Sequence, residues 1–203
     1  MIDTVIFDIG NVLAGFCWKE YLLELGICED ARQQIADKIF RGDVWKEFDC
    51  GKKSDEEIIQ QCILLIPEYE KEIKMVFDTI EKVAFEYDYA KSWIEELKAK
   101  GFKIYLLSNY GKKAFERKNY SFLELVDGKV ISYEVKSIKP QPQIFNTLLS
   151  KYAIIPENAV FFDDMKENVI AARTHGINAI QFSSKEQAEK ELAALINEKA
   201  TSL

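Results

Sequence analysis

The sequence predicts an α/β fold: a parallel sheet with helices on both faces and a small α-helical domain inserted into it. Three observations carry that prediction. Thr4 to Asp8, Lys103 to Ser108 and Ala159 to Asp163 are short, nearly unbroken apolar runs, as expected of strands buried on both faces. Amphipathic helical stretches separate the later runs, and alternation of strand and helix builds a parallel sheet. Each of the three runs also closes on polar side chains, Asp8, Ser108-Asn109 and Asp163-Asp164. Sheets of this Rossmann-like kind bind their ligands beyond the carboxyl ends of the strands.

The elements follow in order. Thr4 to Asp8 is a strand entering a loop at Gly10. From about Trp18 to Tyr89 the pattern turns helical, with Ser54-Asp55-Glu56-Glu57 as a capping-box start and Gly42, Gly51 and Pro67 as punctuation; no convincing strand is visible there. Tyr69 to Phe85 reads as an ordinary helix with an apolar stripe. Lys91 to Lys100 is an amphipathic helix stopped by Gly101, and Lys103 to Ser108 a second buried strand. Val130 to Val135 reads as a third strand, and Pro142 to Lys151 as a helix opened by proline at its first turn. Ala159 to Asp163 is a fourth strand and Met165 to Thr174 a helix capped at Gly176. Asn178 to Gln181 forms a short last strand, and Lys185 to Glu198 a charged helix. The predicted division is 1–14 with 90–203 as the α/β core and 15–89 as the helical insertion.

The 203 residues are 48% apolar and 30% charged, which excludes a disordered or low-complexity chain. With 27 Lys+Arg against 34 Asp+Glu the net charge is -7, a field that repels nucleic acid and anionic lipid, so neither is an expected partner. No apolar stretch approaches the roughly 20 residues that span a bilayer. The expectation is a cytoplasmic protein, monomeric or a weak homodimer. Cys17, Cys28, Cys50 and Cys62 show no Cys-x-x-Cys spacing and are expected as buried free thiols. The single histidine, His175, disfavours a zinc site and is expected to end a helix. Oxygen-ligand metal chemistry at carboxylates stays open.

Four separated motifs, in order, resemble those of the haloacid dehalogenase-like hydrolase superfamily. They are Val5-Ile6-Phe7-Asp8-Ile9-Gly10-Asn11-Val12-Leu13, Leu106-Leu107-Ser108-Asn109, Ser132-Tyr133-Glu134-Val135 with Ile138-Lys139-Pro140, and Phe161-Phe162-Asp163-Asp164-Met165-Lys166-Glu167-Asn168. The resemblance implies Asp8 as a nucleophile that takes up phosphate as an aspartyl-phosphate. It implies Lys139 as the accompanying cation, and Mg²⁺ held by Asp8, the Gly10 carbonyl and Asp164. Asp163 and Asn168 would support the metal site. Phosphate would be bound by Lys139, Ser108, Asn109 and the backbone N–H groups of Ile9 and Gly10. The insertion corresponds to a helical cap. The chemistry is coherent, because two anions that must meet need positive charge between them.

The sequence departs from that family at Gly10, where most of its phosphatases carry a second aspartate as general acid and base. Glycine cannot move a proton, and losing such help costs about 10²- to 10⁴-fold. Good leaving groups would then be preferred, and an anomeric sugar hydroxyl leaves comparatively easily. The motifs are similar to those of the bacterial α-glucose-1-phosphate phosphatase subgroup, which tolerates the same glycine, so sugar 1-phosphates are the leading expectation. Lys136 and Gln141 also depart from the usual Gly and Asp, and Lys136 offers a further phosphate contact. Trp18, Arg41, Trp45 and Phe48 are candidates for a sugar platform, although aromatic residues within helical patterns are more often core. Two other functions compete: a metal-independent 2-haloacid dehalogenase, for which Asp163-Asp164 would serve no purpose, and a noncatalytic binding protein that kept the fold.

Overall fold

The computed structural model describes residues 1–201 and places β1 (Thr4–Phe7) at the centre of a five-stranded sheet. Its order is β5-β4-β1-β6-β7, with β4 Lys103–Ser108, β5 Gly128–Ile131, β6 Ala159–Asp163 and β7 Asn178–Gln181, all pairs parallel. The chain runs outward from β1 through β4 to β5, then returns to build β6 and β7 on the other side. That reversal leaves a crevice at the carboxyl ends of β1, β4 and β6.

Successive side chains of a strand face opposite ways, and here both faces are covered. Val5, Phe7, Ile104, Leu106, Val160 and Phe162 pack on one side with Trp93 and Leu97 of α6 (Ala90–Ala99) and Leu192 of α11 (Lys185–Thr201). Ile6, Tyr105, Leu107 and Phe161 pack on the other with Ile144, Phe145 and Leu148 of α9 (Pro142–Tyr152) and Val169 of α10 (Lys166–Thr174). This double burial is why the strands read as unbroken apolar runs.

A third core belongs to the helical region: Tyr21 and Leu22 of α1 (Trp18–Glu24), Ile35 of α2 (Glu29–Ile35), Val44 and Phe48 of α3 (Asp43–Cys50), Ile58 and Cys62 of α4 (Asp55–Leu65), and Ile73 and Phe77 of α5 (Glu70–Asp78). The capping box forms as expected. Glu57 N–H donates to Ser54 Oγ at 3.2 Å and Ser54 N–H to Glu57 Oε2 at 2.7 Å. α2 runs on as a π-helical segment, Ala36–Phe40, a form that recurs near functional sites.

Three expectations are corrected. Tyr69 to Phe85 is not one helix: α5 ends at Asp78, a 3₁₀ turn covers Ile80–Val83, and Ala84–Glu86 is a strand (β3). β3 pairs antiparallel with β2 (Ala14–Phe16), so the two chain crossings between sheet and helical region form a ribbon. Three residues are too few to show a period. The Val130 to Val135 run is strand only to Ile131, after which Ser132–Val135 turns as a short helix, α8. Its partner strand ends at Ser108, opposite Ile131, and nothing remains to pair with. All four cysteines are free, but only Cys50 and Cys62 are buried; Cys28 is exposed and Cys17 intermediate. His175 ends α10 as expected, its Nδ1 2.8 Å from the Ala171 carbonyl and its ring stacked on Phe145. Among the described residues no helix is long and apolar enough to cross a membrane.

Candidate active site

The crevice gathers the polar strand ends. Asp8 follows β1, Ser108 closes β4 and Asp163 closes β6, all buried. Lys139 comes from the loop before α9, and its side chain is 1% exposed, so it is no solvated lysine. Its ammonium lies 2.9 Å from Asp8 Oδ1 and 2.6 Å from Asp163 Oδ2, and donates to the Leu107 carbonyl at 2.8 Å. Three partners meet its three protons, the condition for a buried ammonium to stay charged. Burial alone would lower its pKa, but the carboxylates of Asp163 and Asp8 outweigh that and hold it above the ordinary value.

Asp8 Oδ1 also accepts from Ser108 Oγ and from the Ile9 N–H, each at 2.7 Å. With Lys139 these contacts converge on Oδ1, and none of them uses Oδ2. Burial pushes the Asp8 carboxyl up to about 7, against the pull of Lys139 and with the charge of Asp163 adding to it.

Asp163 accepts from Asn168 Nδ2 at 3.0 and 3.1 Å and from the Met165 N–H at 2.8 Å, so the first turn of α10 grips it, while the N-cap of that helix is Met165 with no side-chain cap. Asn168 therefore touches Asp163 rather than Asp164. Asp164 is held instead by Asn11, whose Nδ2 donates to Asp164 Oδ2 at 2.9 Å. Asn11 sits at φ 54°, a left-handed turn that asparagine tolerates better than most residues. Burial raises the Asp164 pKa, Asn11 opposes the rise, and Asp163 adds to it.

Carboxylate oxygens of Asp8, Asp163 and Asp164 lie within 4.8 Å of one another. Three acids against one ammonium leave an excess of negative charge in a largely buried site. Such an all-oxygen set suits a hard divalent cation.

Asn109 grips Lys139 at both ends of its carboxamide: Lys139 N–H donates to Oδ1 at 2.7 Å and Nδ2 donates to the Lys139 carbonyl at 3.0 Å. Its backbone N–H remains as the donor a ligand would use. Lys136 does not face the crevice; its ammonium is bonded to the Gly51 carbonyl. It occupies a left-handed φ of 57°, where a glycine would be natural.

A cavity of about 330 Å³ opens beside Asp8, Gly10 and Asp164. That is at the small end of the roughly 300–1,000 Å³ of metabolite sites. Its far wall comes from the helical region and the ribbon: Phe16, Trp45, Phe48 and Asp49. Of the four platform candidates, Trp45 and Phe48 therefore line it. Trp18 and Arg41 stand one layer behind that wall: Trp18 stacks on Phe40 at 5.6 Å, with the Arg41 guanidinium 5.0 Å from its ring centroid, and Phe40 in turn packs on Trp45 at 4.8 Å.

Sequence reasoning missed Asn11 and Asp49. Asn11 stood inside the first motif but signals nothing until its turn is seen. Asp49 carried one faint signal, an acid just before the helix-stop glycine Gly51. Burial pushes the Asp49 carboxyl up to about 8, the Gly111 N–H opposing, the charge of Asp8 adding and Lys139 opposing.

Comparison with known proteins agrees with this geometry. The chain is 25% identical over 211 residues to D-ribitol-5-phosphate phosphatase of Bacteroides thetaiotaomicron, 97% of this chain and all of that one. It is 30% identical over 162 residues to mouse acyl-CoA dehydrogenase family member 10, a match covering 75% of this chain but only 15% of that protein. The fold is shared with a HAD family enzyme of Bacteroides thetaiotaomicron solved with magnesium and inorganic phosphate. There the TM-score is 0.72 at 20% identity, covering 91% of this chain and 96% of the other. A family model described as haloacid dehalogenase-like hydrolase matches residues 2–176, and the chain belongs to that family.

Proposed function

We propose that the protein is a Mg²⁺-dependent phosphatase of small phosphomonoesters, sugar phosphates such as glucose 1-phosphate first among them. The observation that carries this reading is the charge count at the strand ends, Asp8, Asp163 and Asp164 facing the single ammonium of Lys139. An enzyme attacking a haloacid needs no metal, and so no excess of carboxylate beyond what Lys139 offsets. Mg²⁺ held by Asp8, the Gly10 carbonyl and Asp164 would neutralise charge on the phosphoryl oxygens and hold them in line.

The chain's own residues supply the rest. Ser108 and Lys139 hold Asp8 Oδ1, so that Oδ2 attacks phosphorus to form an aspartyl-phosphate, which water then cleaves. Lys139 keeps its proton throughout and offsets charge on the nucleophile and the phosphoryl oxygens. The Asn109 and Gly10 backbone N–H groups complete the phosphate cradle, and Asn168 reaches the site through Asp163. Residues 15–89 act as the cap, whose aromatic wall excludes water and receives the sugar. The similarity to a D-ribitol-5-phosphate phosphatase supports a phosphorylated polyol or sugar as substrate class.

The test is phosphate release from sugar 1-phosphates, sugar 6-phosphates and p-nitrophenyl phosphate, with Mg²⁺ and with EDTA, beside Asp8→Asn. Metal-dependent turnover abolished by the substitution is the expected result. Release of chloride from 2-haloacids without metal would replace this reading with the dehalogenase. Ligand binding without turnover of any ester would replace it with a binding protein.

A further inference from the structure

The phosphatase reading leaves a gap at Gly10, because no group there can protonate the departing alkoxide. An added Cβ at Gly10 would meet nothing within 4 Å, and its backbone is not left-handed. Space therefore did not force the glycine, and the cavity has room for a proton donor to act from elsewhere.

Asp49 is the carboxyl group on the cavity's other wall, contributed by the C-terminal end of α3. Its placement does not depend on the helical region alone, since the chain around it is pinned to the α/β core. Ser132 Oγ donates to the Asp49 carbonyl at 2.6 Å and accepts from the Tyr110 N–H at 2.9 Å. Cys50 Sγ contacts the Lys136 carbonyl at 3.4 Å, and Lys136 returns a bond to the Gly51 carbonyl. Gly51, at φ 65°, lies so close to Tyr133 that an added Cβ would fall 2.7 Å from its Cβ. These contacts hold three consecutive residues against the third motif. They also explain why a lysine occupies position 136: its ammonium caps the end of α3. Among the described residues no lysine or arginine forms an ion pair with Asp49, whereas Asp8 and Asp163 share Lys139.

We propose that Asp49 is the general acid and base of the reaction, replacing from the cap the aspartate absent at position 10. The assignment rests on the phosphatase reading. As the bond from phosphorus to the ester oxygen breaks and that from Asp8 Oδ2 forms, the Asp49 carboxyl gives its proton to the departing oxygen, releasing an alcohol. The Asp49 carboxylate then takes a proton from the water that attacks the aspartyl-phosphate. The Asp8–phosphorus bond breaks, inorganic phosphate leaves, and both acids return to their starting states. A half-buried carboxyl on the cavity wall, held up to about 8 by its surroundings, carries the proton this requires at neutral pH.

The test compares leaving groups in the intact protein with Mg²⁺. Asp49→Asn is expected to lower kcat/KM on sugar phosphates about 10²- to 10⁴-fold, and on p-nitrophenyl phosphate less than about 10-fold, because nitrophenolate needs no proton. Adding Gly10→Asp to Asp49→Asn is expected to restore turnover of the sugar phosphates. Retained nitrophenyl turnover shows that the variant is folded. Unchanged rates on all esters, or equal losses on both classes in a variant whose melting is unaltered, would overturn the role of Asp49 while leaving the phosphatase reading standing. A wild-type protein that hydrolyses no ester would overturn the phosphatase reading itself, and the role of Asp49 with it.

Discussion

The two walls of the cavity are built on opposite principles. On the sheet side every acid has a polar or charged partner, although three acids share one ammonium: Lys139 lies between Asp8 and Asp163, Asn168 holds Asp163, and Asn11 holds Asp164. On the helical side Asp49 stands among Phe16, Trp45 and Phe48 with no cationic partner among the described residues. Burial raises the carboxyls of Asp8, Asp164 and Asp49 on both walls, but only on the sheet wall does an ion pair oppose it. A cation beside a carboxyl pulls its pKa down while burial pushes it up, which leaves paired Asp8 at about 7 and unpaired Asp49 at about 8. On the proposed reading the sheet wall, once a cation offsets its acids, is the side of attack, and the helical wall that of shape and proton supply.

The strongest way to break this division is at the nucleophile. Asp8→Asn should lower phosphate release by roughly 10⁴-fold or more while the protein stays folded, since the amide keeps the shape of the carboxylate. Turnover that survives would place the nucleophile elsewhere. Lys139→Met attacks the pairing itself by leaving Asp8 and Asp163 buried without a cation. It should cost about 3–5 kcal/mol in denaturant melts and abolish turnover. A stability near wild type would mean that the sheet wall does not depend on that match.

Protonation offers a comparison by pH. A carboxyl whose folded pKa exceeds its unfolded one binds more protons when folded, so it favours folding at low pH and loses that effect as pH rises through the folded value. Asp49 moves from 3.8 to about 8 and Asp8 from 3.8 to about 7. In EDTA the melting temperature should therefore fall between pH 5 and pH 8. At roughly 2–4 °C per kcal/mol the fall should be several degrees, and Asp49→Asn should remove part of it. A flat profile across that window would refute the raised state of both carboxyls, and a fall that Asp49→Asn leaves unchanged would refute the contribution of the helical wall. A smaller effect is expected at Trp45→Ala, which should raise KM for sugar phosphates about 10-fold, near 1.4 kcal/mol, with less change in kcat. Smallest of all, Lys53→Met breaks an exposed pair with Glu47 and should shift stability by less than about 1 kcal/mol.

Much of the sheet wall was legible in the sequence. Asp8, Ser108, Asp163 and Asp164 stood out because each lies at or beside the end of an apolar run, and strand ends in such a sheet converge; Lys139 stood out only through the motif resemblance. Local signals also fixed Ser54 as a helix cap and Gly101 as a helix stop, since caps depend on near neighbours. The misreadings were short or long-range. β3 is three residues pairing with a strand some seventy positions earlier, and Val130 to Val135 changed state where its partner strand ended. The helical wall was barely legible, because a helical apolar pattern reads the same whether an aromatic faces a core or a cavity.

Composition, periodicity and motif order were enough to determine an α/β fold with a helical insertion, a carboxylate-rich strand edge and a glycine where an acid is usual. Those features are local, written in neighbouring residues and their spacing. Tertiary structure decided which carboxyls are paired, that Lys136 clamps α3 instead of facing phosphate, and that Asp49 shares a cavity with Asp8. Protonation and proximity depend on what lies across the fold from a residue, and no local pattern contains that.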